Sequence, residues 1–312
     1  MQKAGRVSEQ MSQPEVDGAT EEWTVSQDQA GKQGYIIANI VSLHAEPSED
    51  SEVVTQARMG ETFRLVSEAA GWWRITLDYD GYPGYIPAGA GRLVEPASDE
   101  GDGQGGAGLP DNQTPYAVVS NLFGNVYAAP TIKSRLLVTL PIGVKVYLHS
   151  EPAGQVGEWW AVTLPDGRQG FMHMGDLSEN GREWAWSTVA ELRASLVRTA
   201  RRFVGIPYRW GGTSPFGIDC SGLVQLLYRL HGLFLPRDAR DQGRYEKTRP
   251  VTRADLVPGD LIFFSDYGHV GMAISHFEFI HATARGSPVV QISRIDDPYY
   301  SGECCDIRRY LL

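Results

Sequence analysis

Cysteine is scarce: the 312 residues contain three, of which Cys304 and Cys305 are adjacent, and no C-x-x-C pair occurs. An odd, unspaced set suits neither a disulfide framework nor a zinc ribbon, and it fits a reducing compartment. Basic residues are in the minority, with 28 Lys and Arg against 38 Asp and Glu for a net charge of -10. That balance disfavours nucleic acid, because an acidic surface repels phosphate. No apolar run of about 18 residues is present to span a membrane. Behind Lys3 and Arg6 the chain turns polar and acidic, where a secretion signal needs about 7 to 15 apolar residues. The sequence is therefore expected to act in the cytoplasm, with no export by that route and no membrane partner.

What is present is ordinary globular material. Hydrophobic residues at 42% and charged residues at 21% exclude wholesale disorder, and the length allows two or three domains. Residues 1–32 are polar and aperiodic and read as an arm. Residues 98–113 are glycine-rich and read as a flexible connection. On either side of it two segments, 33–97 and 114–180, align with each other. Pro47 matches Pro130, Gly60 matches Gly143, Trp72-Trp73 matches Trp159-Trp160, and Gly84-Tyr85 matches Gly170-Phe171. Their short alternating runs between turn residues predict two small all-β units of about 60 residues. The pattern resembles bacterial SH3-like (SH3b) barrels, and generic spacer barrels are the plainer alternative.

From Trp186 to Leu312 the pattern becomes α+β. TVAELRASLVRTARRFVG has helical spacing and ends at Gly205. A turn-rich stretch leads to Cys220-Ser221-Gly222, which opens a helix with an apolar face closed by Gly232. Four strand-like runs follow: GDLIFFS, GHVGMAIS, FEFIHAT and PVVQIS.

The chemistry these residues offer is that of a thiol. A cysteine attacks a carbonyl as thiolate, so it needs a lowered pKa, a nearby base and a group to hold the base. Cys220 begins its helix, where the macrodipole and unpaired amides favour an anion and can receive an oxyanion. His269 lies on an alternating strand with Val270, Met272 and Ile274 on the other face. A hairpin centred near Ser275 places His281 directly opposite His269, about 4.5 to 5.5 Å away between Cβ atoms, although a changed register moves that pairing. Taken singly, a buried structural Cys and ordinary structural His residues are the plainer readings.

Tyr208-Arg209-Trp210-Gly211-Gly212, Asp219-Cys220-Ser221-Gly222-Leu223, Pro258-Gly259-Asp260-Leu261, Gly268-His269-Val270-Gly271 and Ile280-His281 occur in sequence. Together they resemble the signature of NlpC/P60 cysteine peptidases, over about residues 190 to 312. The resemblance implies a papain-like domain preceded by two SH3b-like barrels. It makes Cys220 the nucleophile, His269 the base, His281 the orienting third residue and Tyr208 a neighbour of the thiol, with no metal or organic cofactor.

SH3b units ahead of such a domain, with GYPG in the first, are similar to γ-D-glutamyl-L-diamino acid endopeptidases of murein-peptide recycling. That likeness implies a murein peptide with a free L-Ala amine, cut before L-Lys or meso-diaminopimelate by an enzyme acting as a monomer. Asp238 in LPRDARDQ, Asp219, Ser221 and Tyr82 in DGYPGYIP match positions around the substrate's amino end, and Glu52 matches less closely. Ala239 stands where relatives often carry Ser. Each residue has a structural alternative: Asp219 as helix cap, Asp238 paired with Arg237 or Arg240, Tyr82 packed under its own barrel, Glu52 on a solvated face. Two other functions stay open, a hydrolase of polymeric cell wall with SH3b anchors and a non-catalytic peptidoglycan-binding adaptor.

Overall fold

The computed structural model describes residues 31–94, 109–110, 113–149 and 155–311. The expected arm and glycine-rich connection lie largely outside the described residues. Among the described residues no helix is long and apolar enough to cross a membrane.

Alternation of apolar residues builds two all-β units of the same topology. In the first, antiparallel strands lie in the order Val53–Arg58, Ile40–His44, Pro83–Pro87, Trp72–Leu77, Thr62–Ala69, Gln33–Ile36, Gly91–Leu93. The second repeats it as Leu136–Pro141, Phe123–Tyr127, Gln169–His173, Trp159–Thr163, Lys145–Leu148, Tyr116–Val119, Leu177–Glu179. The matched aromatics keep the same register, since Trp73 faces Ile86 and Trp160 faces Met172. Inward residues such as Phe63, Leu65 and Ile75 fill one interior, and Val126, Val146 and Val162 fill the other. The matched Gly60 and Gly143 both turn with left-handed φ, +81° and +86°, a conformation that disfavours a side chain. The two units brace each other. Asn39 Nδ2 donates to the Thr139 carbonyl at 3.2 Å, and the Arg92 guanidinium to that of Asp166 at 3.2 Å.

The α+β unit opens with helix α1 (Val189–Arg201), started by a capping box in which Thr188 and Glu191 satisfy each other's backbone N–H. The helix stops short of the predicted Gly205. Arg202 and Phe203 bond to carbonyls three residues back, so the last turn tightens and unwinds before that glycine. Helix α2 (Cys220–Leu230) follows, with Gly232 just past its end at φ +75°, and then the short α3 (Ala239–Arg244) and α4 (Pro298–Glu303).

Six antiparallel strands form the sheet, in the order Thr248–Pro250, Cys304–Tyr310, Leu261–Phe264, His269–Ala273, Glu278–Thr283, Val289–Arg294. The four expected strands are present. The one the sequence reading leaves out is Cys304–Tyr310, in which Ile307 alone is buried and apolar while Asp306, Arg308 and Arg309 interrupt the pattern. It accounts for the adjacent cysteines as strand residues; both thiols are free.

Side-chain period 2 divides this sheet's contacts. Phe263, Val270, Met272, Ile280 and Ala282 pack with Leu223, Val224 and Leu227 of α2 and Leu192 and Leu196 of α1. Ile262, Phe264, Phe279 and Ile307 pack on the other side with Ile295 and Tyr300. Asp260, wholly buried, fastens the ends together. Its carboxylate accepts from Arg309 at 2.7 and 2.8 Å and from the Val257 amide at 2.9 Å, and Arg193 of α1 lies 3.7 Å away. Removing one partner of a buried ion pair leaves charge uncompensated. Asp260→Ala is therefore expected to lower stability by about 3 kcal/mol in urea unfolding, and a loss below about 1 kcal/mol would show that these arginines find other partners.

Candidate active site

Local chemistry fixes where α2 begins. The Asp219 carboxylate accepts from the Gly222 amide at 2.7 Å and caps the helix, so Cys220 is its first residue. A Cβ on Gly222 would collide with the Gly212 carbonyl, so the helix start seats directly on the Trp210-Gly211-Gly212 loop. The Cys220 thiol is buried, with the Val270 and Ser221 amides directed at its sulfur. Burial pushes the thiol up to about 11, the Asp219 carboxylate adds to the rise, and those two amides oppose it. The expectation that the helix start lowers this pKa is thus corrected: desolvation outweighs the amides when nothing is bound.

Burial acts on the imidazoles in the same sense, toward neutrality. His269 is lowered to about 4, partly offset by Asp219, and His281 to about 3, with His269 as a second cause. Burial thus favours the neutral form of the thiol and of both imidazoles.

The histidines meet, in a different register from the expected one. Met272 pairs with Ile280 and Ala273 with Phe279, so the hairpin is centred at His276 and His281 lies diagonal to His269. A whole-residue shift of the centre moves each partner by two, which preserves the face. His269 Nε2 is 2.8 Å from His281 Nδ1, and His281 Nε2 is 3.0 Å from Ser293 Oγ. His281 is wholly buried, against Phe279 and Tyr300. His269 begins its strand one residue after Ser265, Asp266 and Tyr267, all left-handed at φ 51°, 52° and 65°, a strained turn for residues with side chains.

A cavity of about 320 Å³ in front of Cys220 is also lined by Tyr208, Asp219, Ser221 and Asp238, and by Glu52 and Tyr82 from the first all-β unit. Burial and the neighbouring Cys220 raise the pKa of the Tyr208 phenol. Tyr82 does not pack under its own sheet. Its hydroxyl donates to Asp238 at 3.1 and 3.3 Å across the domain boundary. Glu52 is exposed, as the solvated-face alternative has it, and its carboxylate also accepts from the Trp210 indole N–H at 2.7 Å.

The plain pairings for Asp238 are also corrected. Arg240 pairs with Asp266, and Arg237 is wholly engaged elsewhere, with Asp219 at 2.5 and 3.1 Å, Ser221 Oγ at 2.9 Å and Thr55 Oγ1 at 2.8 Å. Burial raises the Asp238 pKa, and the Tyr82 hydroxyl and the Arg237 charge oppose the rise. Ala239, lacking a hydroxyl, begins α3. Arg168, the repeat counterpart of Tyr82, bonds Asp166 in its own turn.

Sequence reasoning misses Arg237, Ser293 and Trp210 as members of this constellation. Arg237 stands next to Asp238 in LPRDARDQ and was open to view as a cation among carboxylates. Ser293 is reached only through strand pairing.

A buried thiol at a helix start, met by the amide of Val270 on the strand that His269 begins, with an imidazole pair on the same antiparallel sheet, is an arrangement of the papain-like cysteine-peptidase type. Residues 205–309 match the NlpC/P60 family model, and residues 43–90 the bacterial dipeptidyl-peptidase SH3 domain. Among curated relatives, "Dipeptidyl-peptidase 6" of Lysinibacillus sphaericus is 28% identical over 264 residues, covering 85% of this chain and 92% of its own. "Gamma-D-glutamyl-L-lysine dipeptidyl-peptidase" of Bacillus cereus is 28% identical over 274 residues, covering 84% of this chain and 76% of its own. The crystal structure of an NlpC/P60 family protein from Bacillus cereus superposes with a TM-score of 0.72 at 24% identity, over 90% of this chain and 100% of that one. The chain carries an NlpC/P60 cysteine-peptidase domain, with an SH3 domain of the bacterial dipeptidyl-peptidase type ahead of it.

The imidazole shifts have a consequence for stability. Both folded pKa values lie below the unfolded 6.5, so between those limits the unfolded chain binds protons that the folded chain refuses. Stability is then present above 6.5 and lost as pH falls toward 4 and 3. For His281 alone, going from pH 8 to pH 5 is expected to cost about 2 kcal/mol. Urea unfolding of wild type and His281→Asn at the two pH values tests this. The variant should lose less on acidification, and equal losses would refute the assignment.

Proposed function

We propose that the enzyme hydrolyses the bond between γ-D-Glu and L-Lys or meso-diaminopimelate in short murein peptides bearing a free L-Ala amine, acting in the cytoplasm on recycled wall fragments. The observation that carries this reading is the Tyr82–Asp238 contact. It sets a carboxylate, bonded to a neutral phenol, in the cavity of Cys220 at 3.1 Å from a residue of another domain. A half-buried carboxylate whose pKa is raised is short of positive charge, and a substrate ammonium supplies it. Glu52 gives the same cavity a second carboxylate, and both Glu52 and Tyr82 belong to the SH3 unit. An amino end held there fixes how far into the cleft the scissile carbonyl extends, which is an orientation effect. The relative named a gamma-D-glutamyl-L-lysine dipeptidyl-peptidase supports the choice of bond.

In this reading the proton path runs one way. His281 donates from Nε2 to Ser293 and accepts at Nδ1 from His269 Nε2, so His269 Nδ1 is unprotonated and takes the Cys220 proton. The thiolate attacks the γ-carbonyl, and the oxyanion is met by first-turn amides of α2, whose geometry leaves them unpaired within the helix, with Tyr208 alongside. His269 then protonates the departing amine, and water activated by the same imidazole releases L-Ala-γ-D-Glu. Asp219 caps the helix and, through Arg237, holds Ser221 in the wall of the cleft.

Digestion of L-Ala-γ-D-Glu-meso-diaminopimelate, its L-Lys counterpart, their N-acetylated forms and intact sacculi tests the proposal. Cleavage is expected with the free-amine peptides and none with the acetylated ones, and release from sacculi alone would overturn it. Cys220→Ala should abolish turnover while still binding peptide. Asp238→Asn and Tyr82→Phe should each raise KM about tenfold or more with a smaller change in kcat.

A further inference from the structure

Helix α3 has Asp238 at its start and is six residues long, under two turns and too short to hold an orientation by itself. The Asp238 side chain makes no capping bond to this helix. Its carboxylate is turned to Tyr82 and the cleft. Tertiary contacts must therefore fix α3, and two residues in its second half supply them. At Gly243 a Cβ would overlap the Tyr267 ring, so the helix backbone lies directly against that side chain, whose hydroxyl donates to Asp306 at 2.8 Å. Tyr267 stands two residues before His269.

The other residue is Gln242, which is wholly buried. Its Nε2 donates to the Ser221 carbonyl at 3.0 Å and to the Pro236 carbonyl at 2.9 Å. Carbonyls only accept, so the amide nitrogen and not the oxygen faces them. Oε1 is left buried without a partner among the described residues, which opposes stability. The placement of Nε2 is what this side chain contributes. The Gln242 backbone N–H donates to the Asp238 carbonyl at 2.9 Å. One residue is thus bonded through its main chain to Asp238 and through its side chain to the residue after Cys220. Ser221 is held on its other sides as well. Its amide is directed at the Cys220 sulfur, and its hydroxyl donates to Asp219 and accepts from Arg237.

We infer that Gln242 is a positioning residue that sets the span from the Asp238 carboxylate to the Cys220 sulfur, and with it the length of amino end that brings a carbonyl to the thiol. The inference rests on the proposed reading that Asp238 receives the substrate ammonium. Gln242 does not line the cleft; it acts through Ser221 and α3. A fixed span discriminates by reach, because misplacing a reacting atom by about 1 Å costs about 100-fold in rate.

Comparison of L-Ala-γ-D-Glu peptides with their β-Ala isomers, in the L-Lys and meso-diaminopimelate series, tests this on wild type, Gln242→Met and Gln242→Glu. The β-Ala isomer places the amine one carbon–carbon bond, about 1.5 Å, further from the scissile carbonyl. Wild type is expected to prefer L-Ala by about 100-fold in kcat/KM, and each variant to lower that preference about tenfold or more. Both rates come from one preparation, so their ratio is independent of how much of a variant is folded, and a merely structural role leaves it unchanged. Methionine keeps the volume without a donor and glutamate keeps the shape with fewer donors, so the test stays readable if one of them unfolds. Variants that keep the wild-type ratio, or a wild type that does not prefer L-Ala, would overturn the inference and leave the choice of bond standing. A wild type inert toward all four peptides would overturn the functional reading and this inference with it.

Discussion

Arg237 is the side chain on which the arrangement of the cleft turns. It is 3% exposed, and its guanidinium bonds simultaneously to the carboxylate that caps α2, to Ser221 beside the nucleophile, and to Thr55 in the first all-β unit. A buried ion pair contributes little net stability compared with an apolar replacement, but its geometry is narrow. Here that narrowness registers the start of the Cys220 helix against a neighbouring domain. Gln56 extends the same seam by accepting from the Thr213 amide at 3.1 Å. Gly211 completes it, because a Cβ there would run into the Val53 carbonyl, and its φ of +73° disfavours a side chain independently. The two glycines after Trp210 thus belong to the contact between domains and to the helix start, and not to the chemistry.

Burial is the second theme of the site. Placing the thiol and both imidazoles away from water opposes charge on each of them. Ser293 ends the chain of ring nitrogens with a group that both accepts and donates.

Much of the fold was legible because its periodicities are strong. The repeat of Gly, Trp-Trp and Gly-aromatic positions reproduces as identical strand order, and the cysteine helix is marked at both ends, by Asp219 and by Gly232. What escaped did so for physical reasons. The strand Cys304–Tyr310 carries charges that act in ion pairs, and Asp306 bonds both Arg308 and Tyr267, so no alternation advertises it. The diagonal placement of His281 depended on a turn length that side-chain pattern leaves open. The direction of the Cys220 pKa depended on how deeply a neighbouring strand covers the thiol, which no local motif records. Arg237 was visible, but a distance of 18 residues to Asp219 and 182 to Thr55 made its partners a matter of tertiary structure.

The segment between Trp72–Leu77 and Pro83–Pro87 has a wider bearing. Within four residues it sends Tyr79 toward the junction of the three units, Asp80 to Gln225 on the nucleophile's helix at 3.0 Å, and Tyr82 to Asp238. In the proposed reading, selectivity and catalysis are therefore carried on separate modules that touch through a few side chains. On that reading, exchange of a single β-turn between homologous chains would retune what the cleft accepts while leaving Cys220, His269 and their supporting sheet as they were.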